Sequence, residues 1–330
     1  MISIRNECKD PRFNLALEEY VFYNFDTSNE YVILWQNEPS VIIGRNQNTI
    51  EEINSKFIKE NNINVVRRMS GGGAVYHDLG NLNYTFIVNS DQDVISNFKK
   101  FTQPVVSTLA KLGVKAEFSG RNDITIEGKK FSGNAQHYAK GRLLHHGTIL
   151  FNSDLRVVQE ALNVKIDKLQ SKGVKSVRSR VTNVFPFLKE KITVDEFKDT
   201  LLRFILNDDN YKEKEYVLTG SDLTAINALI ENKYATWEWN YGESPAFEVE
   251  KSQRYEGGQL SLKYNVVDGT LQGLKIYGDF FGKQDIGDIE KLLMNKQFQE
   301  EAIRKVLQGI DFNEYFTGIS VDNFIECMFY

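Results

Sequence analysis

The sequence predicts an α+β fold with mixed and antiparallel sheets, divided into two domains. Three observations predict it. Residues 114–151 hold four strand-like runs separated by short turns, which is an antiparallel meander and not repeated βαβ units. From Ala246 the pattern changes to three further strands followed by helices. A length of 330 residues suits one large domain or two. The expected division is 1–244 and 245–330.

In chain order, Asp10-Pro11 opens a helix, with Asp10 as N-cap and Pro11 at the first helical position. Phe13, Leu17, Tyr20 and Val21 fall near one face of it. Residues 31–35 and 41–44 read as short buried strands, split by Gln36-Asn37-Glu38-Pro39. Gly44-Arg45-Asn46-Gln47-Asn48 reads as a plain turn or as one wall of a ligand site. Residues 50–61 read as a helix with Ile53, Phe57 and Ile58 inward. Strands follow at 63–66, 75–76 and 82–87, then a helix at 95–112 begun or bent at Pro104. The meander strands are 114–118, 123–127, 131–138 and 143–151, with tight turns at Glu127-Gly128-Lys129 and Ala139-Lys140-Gly141. Residues 153–162, 193–207 and 221–232 read as helices, and 237–245 as irregular chain that ends the first domain. The second domain has strands near 246–254, 259–267 and 271–279, with helices near 285–295, 299–309 and 320–329. No repeat or low-complexity tract occurs.

Composition excludes several classes. Hydrophobic residues are 41% and charged residues 26%, ordinary for a globular protein. A net charge of −5 gives no reason to expect a nucleic-acid or membrane-surface binder. The two cysteines, Cys8 and Cys327, lie near opposite ends and make no disulfide framework and no Cys-x-x-Cys metal cluster. Residues 1–7 lack the apolar core of a signal peptide, and no run approaches the ~20 apolar residues of a membrane span. The expected location is the cytoplasm.

The richest stretch is Arg67-Arg68-Met69-Ser70-Gly71-Gly72-Gly73-Ala74-Val75-Tyr76-His77-Asp78. Successive glycines can aim several N–H groups into one concavity, which suits phosphate or carboxylate oxygens. Arg67 and Arg68 could add positive charge in a fork that matches phosphate. Three glycines also make an ordinary surface turn, and spacing alone does not separate the two. A P-loop is excluded because no Gly-Lys-Ser/Thr follows, and a dinucleotide fingerprint because Val75-Tyr76-His77 reads as strand. The segment 165–183, rich in Lys, Arg, Ser and Val, is either a solvated basic loop or a flap over an anionic nucleotide. Lys130 alone would pass for a surface lysine. Asp123 has the character of a turn residue before a strand. His77 and His146 invite acid–base roles, although a histidine is more often a hydrogen-bonded structural group, and no residue marks itself as the base.

Taken together, these motifs resemble the lipoate-protein ligases. The glycine stretch continues into Leu79-Gly80-Asn81. It is followed in the family's order by Gly120-Arg121-Asn122-Asp123, Lys130-Phe131-Ser132-Gly133-Asn134-Ala135 and His145-His146-Gly147-Thr148. Lys172-Gly173-Val174-Lys175-Ser176-Val177-Arg178-Ser179-Arg180-Val181-Thr182-Asn183, then Trp237-Glu238-Trp239-Asn240 and a C-terminal extension, complete a match to the long form. The resemblance implies a biotin/lipoyl-ligase catalytic fold with a small α+β accessory domain. It implies lipoate and ATP as substrates, with Mg²⁺, and formation of lipoyl-AMP before transfer to a lysine. Lys130 would bridge the acyl carboxylate and the α-phosphate. Arg68 and the backbone of Gly73, Ala74, Val75 and Tyr76 would meet the nucleotide, Asn122 and Asp123 the phosphates, and Asp123 also Mg²⁺. Ser70, Gly71 and Gly72 would lie along the lipoyl chain. Implied partners are lipoyl-domain proteins, namely 2-oxoacid dehydrogenase E2 subunits and the glycine-cleavage H protein.

Two rival activities remain. A cofactor-free octanoyl or lipoyl transferase needs a cysteine nucleophile in the site, and both cysteines lie far from every motif. A non-catalytic lipoate-binding protein would usually have lost Arg68, a glycine or Lys130. Biotin ligation is disfavoured because the loop lacks that family's Gly-Arg-Gly-Arg-rich pattern.

Overall fold

A computed structural model describes residues 1–89, 97–120, 122–162, 181–242, 247–278, 280, 282 and 284–330. They form two compact units, Met1–Arg45 with Asn62–Thr236, and Asn46–Asn61 with Trp237–Tyr330. The boundary expected at 244/245 falls outside the described residues. The segment 46–61, read from sequence as part of the first domain, groups with the second unit.

The first unit contains β1 (Ile2–Ile4), β2 (Tyr31–Trp35), β3 (Ser40–Ile43), β4 (Asn64–Arg67), β5 (Val75–His77), β6 (Asn81–Asn89), β7 (Glu117–Ser119), β8 (Asp123–Ile126), β9 (Lys129–Ala139) and β10 (Arg142–Leu150). Seven strands form one sheet in the order β1-β2-β6-β10-β9-β8-β7, and β4-β3-β5 form a second. Among the described strands, β1–β2 and β3–β4 pair in parallel and the other pairs are antiparallel. The two meander turns place Glu127 and Gly128, then Lys140 and Gly141, at positive φ. Two consecutive left-handed residues match the twist of the hairpins they join.

Alternation in β6 gives the large sheet two different faces. Leu82, Tyr84, Phe86 and Val88 join Phe101, Val105 and Leu109 of α4 (Phe98–Lys111) and Phe197 and Leu201 of a helix at Val194–Leu206 in one apolar cluster. The other face carries Asn83 and Thr85, with Trp35, His146 and Thr148 beside them in register. An alternating strand usually turns its polar side to water. Here all of β6 except Asn89 is buried. Over the polar face lies α1 (Pro11–Asn24), started as expected by Asp10, whose side chain accepts from the Arg12 N–H.

The helix read over 50–61 is two short ones, α2 (Thr49–Glu52) and α3 (Ser55–Glu60). Asn54 interrupts them because its side chain accepts from the Phe57 N–H and so starts a new helix. Residues 90–96 lie outside the described ones, and α4 starts at Phe98, capped by Asn97, with Pro104 inside it. The strand expected at 114–118 is shorter: Val114 and Ala116 are core, and pairing begins at Glu117. Completing the unit are α5 (Leu155–Ala161), α6 (Val194–Leu206) and α7 (Gly220–Leu229). Most of the 165–183 segment lies outside the described residues; its last part returns to the sheet, where the Thr182 N–H donates to the Lys130 carbonyl at 2.9 Å.

In the second unit β11 (Phe247–Tyr255), β12 (Gly258–Val267) and β13 (Thr270–Gly278) form a meander. It packs with α8 (Gly287–Leu293), α9 (Glu300–Gln308) and α10 (Val321–Phe329) around Leu262, Tyr264, Ile303, Phe316 and Phe324. No described helix is long and apolar enough to cross a membrane.

Candidate active site

The buried polar face, the glycine loop and α1 enclose a cavity of about 130 Å³ in the first unit. Trp35, Asn83, His146 and Thr148 form its floor, Leu15 of α1 one wall, and Gly72 to Val75 another. Lys130, Asn122 and Gly133 stand at the β9 side. Three strand spacings separate β9 from β2, so Lys130's strand and Trp35's strand are about 14 Å apart. The cavity therefore has a cationic end and an aromatic end.

The glycine loop is held from beneath by arginine. The Arg68 guanidinium is 5% exposed and donates to the carbonyls of Ile42, Gly71 and Gly73 and to Ser70 Oγ, at 2.7 to 3.1 Å. Burial lowers its pKa to about 10, so it stays charged at neutral pH. Gly72 has φ +95°, and a Cβ there would stand 3.0 Å from Arg68 Nη2. The Arg67 guanidinium, expected as a second phosphate fork, is fully buried and donates to the carbonyls of Gly44 and Arg45. It does not line the cavity, because alternation along β4 turns it to the other side.

Lys130 reaches the cavity through an irregularity. The β8–β9 register shifts between Ile124 and Thr125, which leaves Phe131 as an extra residue. Such a bulge re-aims the side chains beyond it. Phe131 is fully buried in the core, while the Lys130 side chain lies across Gly133, whose added Cβ would be 2.8 Å from Nζ. Lys130 Nζ is 2.8 Å from Asp123 Oδ1. Asn122 donates to the Asn134 carbonyl at 2.7 Å and so ties the chain before β8 to β9.

A second polar chain crosses from α1 to the loop. Glu18, 2% exposed, accepts from Thr85 Oγ1 at 2.5 Å and meets His146 Nδ1 at 3.0 Å. His146 Nε2 lies 2.6 Å from Ser70 Oγ. His77 is also buried, and its pKa falls to about 3, mainly by desolvation and then by Arg68 and His146. It is neutral at physiological pH.

The structure thus brings Lys130, Arg68, Gly72, Gly73, Ala74 and Val75 to one cavity. Asp123 stands behind Lys130. Ser70 and Gly71 lie behind the wall as Arg68 acceptors, and the Tyr76 side chain points away from the cavity, opposite to Val75 and His77. Sequence reasoning missed Glu18, Trp35, Asn83 and Asn134. Glu18 had a signal: it sits three residues from Leu15 and from Val21, on the apolar stripe of α1, where an unpaired carboxylate does not belong.

Comparison with known proteins agrees with this arrangement. A family model described as the lipoyl protein ligase A/B catalytic domain matches residues 10–206, and one described as the bacterial lipoate protein ligase C-terminus matches 244–328. The chain is 49% identical to a lipoate-protein ligase of Bacillus subtilis (strain 168), covering 100% of both chains. A solved lipoate-protein ligase A bound with ATP is 30% identical with a TM-score of 0.64, covering 73% of this chain and 98% of the other. A bipartite lipoate protein ligase from Thermoplasma acidophilum, described with its E2 lipoyl domain, is 33% identical with a TM-score of 0.64, covering 73% of this chain and 95% of the other. The α+β fold expected from sequence is the fold of these solved ligases.

Proposed function

The chain belongs to the lipoate-protein ligase family, and from that premise we propose that its cavity joins lipoate to protein lysines in two half-reactions. In the first, a lipoate carboxylate oxygen attacks the α-phosphorus of ATP and pyrophosphate leaves. In the second, a lysine amine of an acceptor attacks the acyl carbon of lipoyl-AMP and AMP leaves. The single observation that carries this reading is Lys130, its Nζ lying over Gly133, in the lining of the same cavity that the glycine loop walls.

A carboxylate approaching a phosphate meets electrostatic repulsion. An ammonium touching both groups relieves it and stabilises the charge that builds up in the transition state. Lys130 takes that role, and in the absence of substrate its ammonium is paired with Asp123. The backbone of Gly73 to Tyr76 meets the nucleotide. Arg68 supports it by fixing the loop and by its positive charge. Gly72 forms the lipoyl side of the loop, with Ser70 and Gly71 holding it from behind through Arg68, and the acyl chain runs toward Leu15 and Trp35. Mg²⁺ is typically held by one or two carboxylates plus nucleotide phosphates. The carboxylate of Asp123 fits that need, and no described cluster of three acidic, histidine or cysteine ligands competes for the ion. Bound there, the ion would neutralise phosphate charge.

Residues 1–244 carry the chemistry in this reading and 245–330 form the accessory domain. The acceptors are lipoyl domains of E2 subunits and the H protein, and the reaction proceeds in the cytoplasm, where ATP is supplied. Transferase chemistry is disfavoured by the cysteines: Cys8 does not line the cavity, and Cys327 is buried in the core of the second unit.

The test is lipoate-dependent exchange of pyrophosphate into ATP, with Mg²⁺ and no acceptor. Exchange by the wild type and its loss in Lys130→Ala, with an unchanged circular dichroism spectrum, are expected. Transfer only from a lipoylated donor protein would establish transferase chemistry instead. Lipoate binding without exchange or transfer would leave a binding protein.

A further inference from the structure

Among the described residues that line the cavity, one buried polar atom has no hydrogen-bond partner: Nε2 of His77. Its protonation follows from a chain of amides. The Asn14 side-chain nitrogen donates to the backbone carbonyls of Cys8 and Gln36, so that atom is the nitrogen. Its two protons are shared among those carbonyls and the Asn37 side chain at 2.8 Å; an Asn37 NH₂ turned toward it would set nitrogen against nitrogen, so Asn37 presents its oxygen to Asn14 and its NH₂ to His77 Nδ1, at 3.1 Å. The Asn83 NH₂ faces the same Nδ1 at 3.5 Å. Nδ1 is an acceptor, and in a neutral imidazole the proton then sits on Nε2. His77 is 2% exposed, so its Nε2–H is a donor that water does not freely reach.

His77 is among the residues that line the cavity. His77 stands about 7 Å beyond Val75 along β5. Its ring packs on Trp35 at 5.9 Å between centroids, at the end far from Lys130. Among the described residues, the neighbouring polar side chains are engaged with one another. Trp35 Nε1 donates to Thr85, Thr85 to Glu18, and the two nitrogens of His146 meet Glu18 and Ser70.

We propose that the Nε2–H of His77 recognises a ring sulfur of the bound acyl substrate, so that the site selects a dithiolane-ended acid over a plain fatty acid of equal chain length. This rests on the reading of the cavity as the lipoate site. A divalent sulfur is a weak acceptor, but in a dry pocket it does not compete with water for the donor. The methyl end of an octanoyl chain has no lone pair and leaves the donor unpaired. A site that hydrogen-bonds one substrate discriminates against the analogue that cannot.

The experiment begins with wild-type pyrophosphate exchange on lipoate; its absence would remove the parent reading before this one is reached. Exchange is then compared on lipoate and on its carbocyclic analogue, in which methylene groups replace both sulfurs and the shape is kept. A wild-type kcat/KM ratio of about fivefold or more for lipoate is expected, falling toward one in His77→Phe and kept in part by His77→Gln, which retains an N–H donor. A wild-type ratio of one, or the same ratio in the phenylalanine variant, overturns the proposal. If His77→Phe does not fold, nitrogen-15 resonances of His77 in the wild type decide. Nε2 should move with lipoate and not with the carbocycle, and an equal response to both overturns it.

Discussion

At the scale of single residues, close approach sets the constraints. Gly72 at φ +95° lies against Arg68, so Gly72→Ala adds left-handed strain and pushes on the guanidinium that shapes the loop. A stability loss of about 1–3 kcal/mol, together with weaker nucleotide binding, is expected from denaturation and calorimetric titration. Gly147 is tighter. An added Cβ would lie 2.1 Å from Asn134 Oδ1 and 2.5 Å from the Tyr84 ring, so both side chains would have to move. Gly147→Ala should cost about 1–3 kcal/mol by overpacking, and thermal denaturation would show it. The motif Arg67-Arg68 was legible as two cations, but their separate fates were not. Alternation on β4 and the loop that follows it send one guanidinium to Gly44 and the other to the cavity.

At the scale of elements, local rules read well wherever the chain itself supplies the signal. Asp10-Pro11 started α1 as expected, and Thr193 with Glu196 makes a full capping box on α6. Thr193→Ala should lower stability by about 1 kcal/mol while leaving pyrophosphate exchange unchanged, since α6 packs on the face of the sheet opposite the cavity; a fall in exchange would show coupling through the sheet. The bulge at Phe131 was not legible, because a register shift depends on the partner strand. Nor was the break at Asn54, where apolar spacing ran on through a residue whose side chain caps a new helix.

At the scale of the molecule, buried histidines make stability depend on pH. His77 titrates near pH 3 and His145 well below its ordinary 6.5, both chiefly through burial. Below about pH 6.5 the unfolded chain binds protons that the folded chain refuses. Stability therefore falls as pH is lowered from 6.5 toward 3, by up to about 1.4 kcal/mol per pH unit for each histidine. Urea unfolding at pH 7, 6 and 5 would show the slope, and His77→Gln should reduce it. The grouping of 46–61 with the second unit has a consequence of the same scale. Ile50 packs on that unit's core, and Lys59 pairs with Glu300 at 3.0 Å. A chain ending at 242 should be cleaved by protease within 46–61 faster than the full chain; equal resistance would place the segment's support elsewhere.

The sequence by itself determined the α+β class, the meander, most helix starts, and the motifs that bear the family resemblance. These depend on periodicity, turn chemistry and residue type, which neighbours in the chain express. Tertiary structure alone decided which polar residues meet. The alternation of β6 is that of a strand with one wet face, yet α1 covers that face, so Asn83 and its neighbours His146 and Thr148 become the floor of a cavity. Glu18 finds His146, and Asn37 fixes the proton on His77, across 128 and 40 residues of chain. A buried polar group must find a partner wherever the fold brings one, and the identity of that partner is set by packing between distant segments.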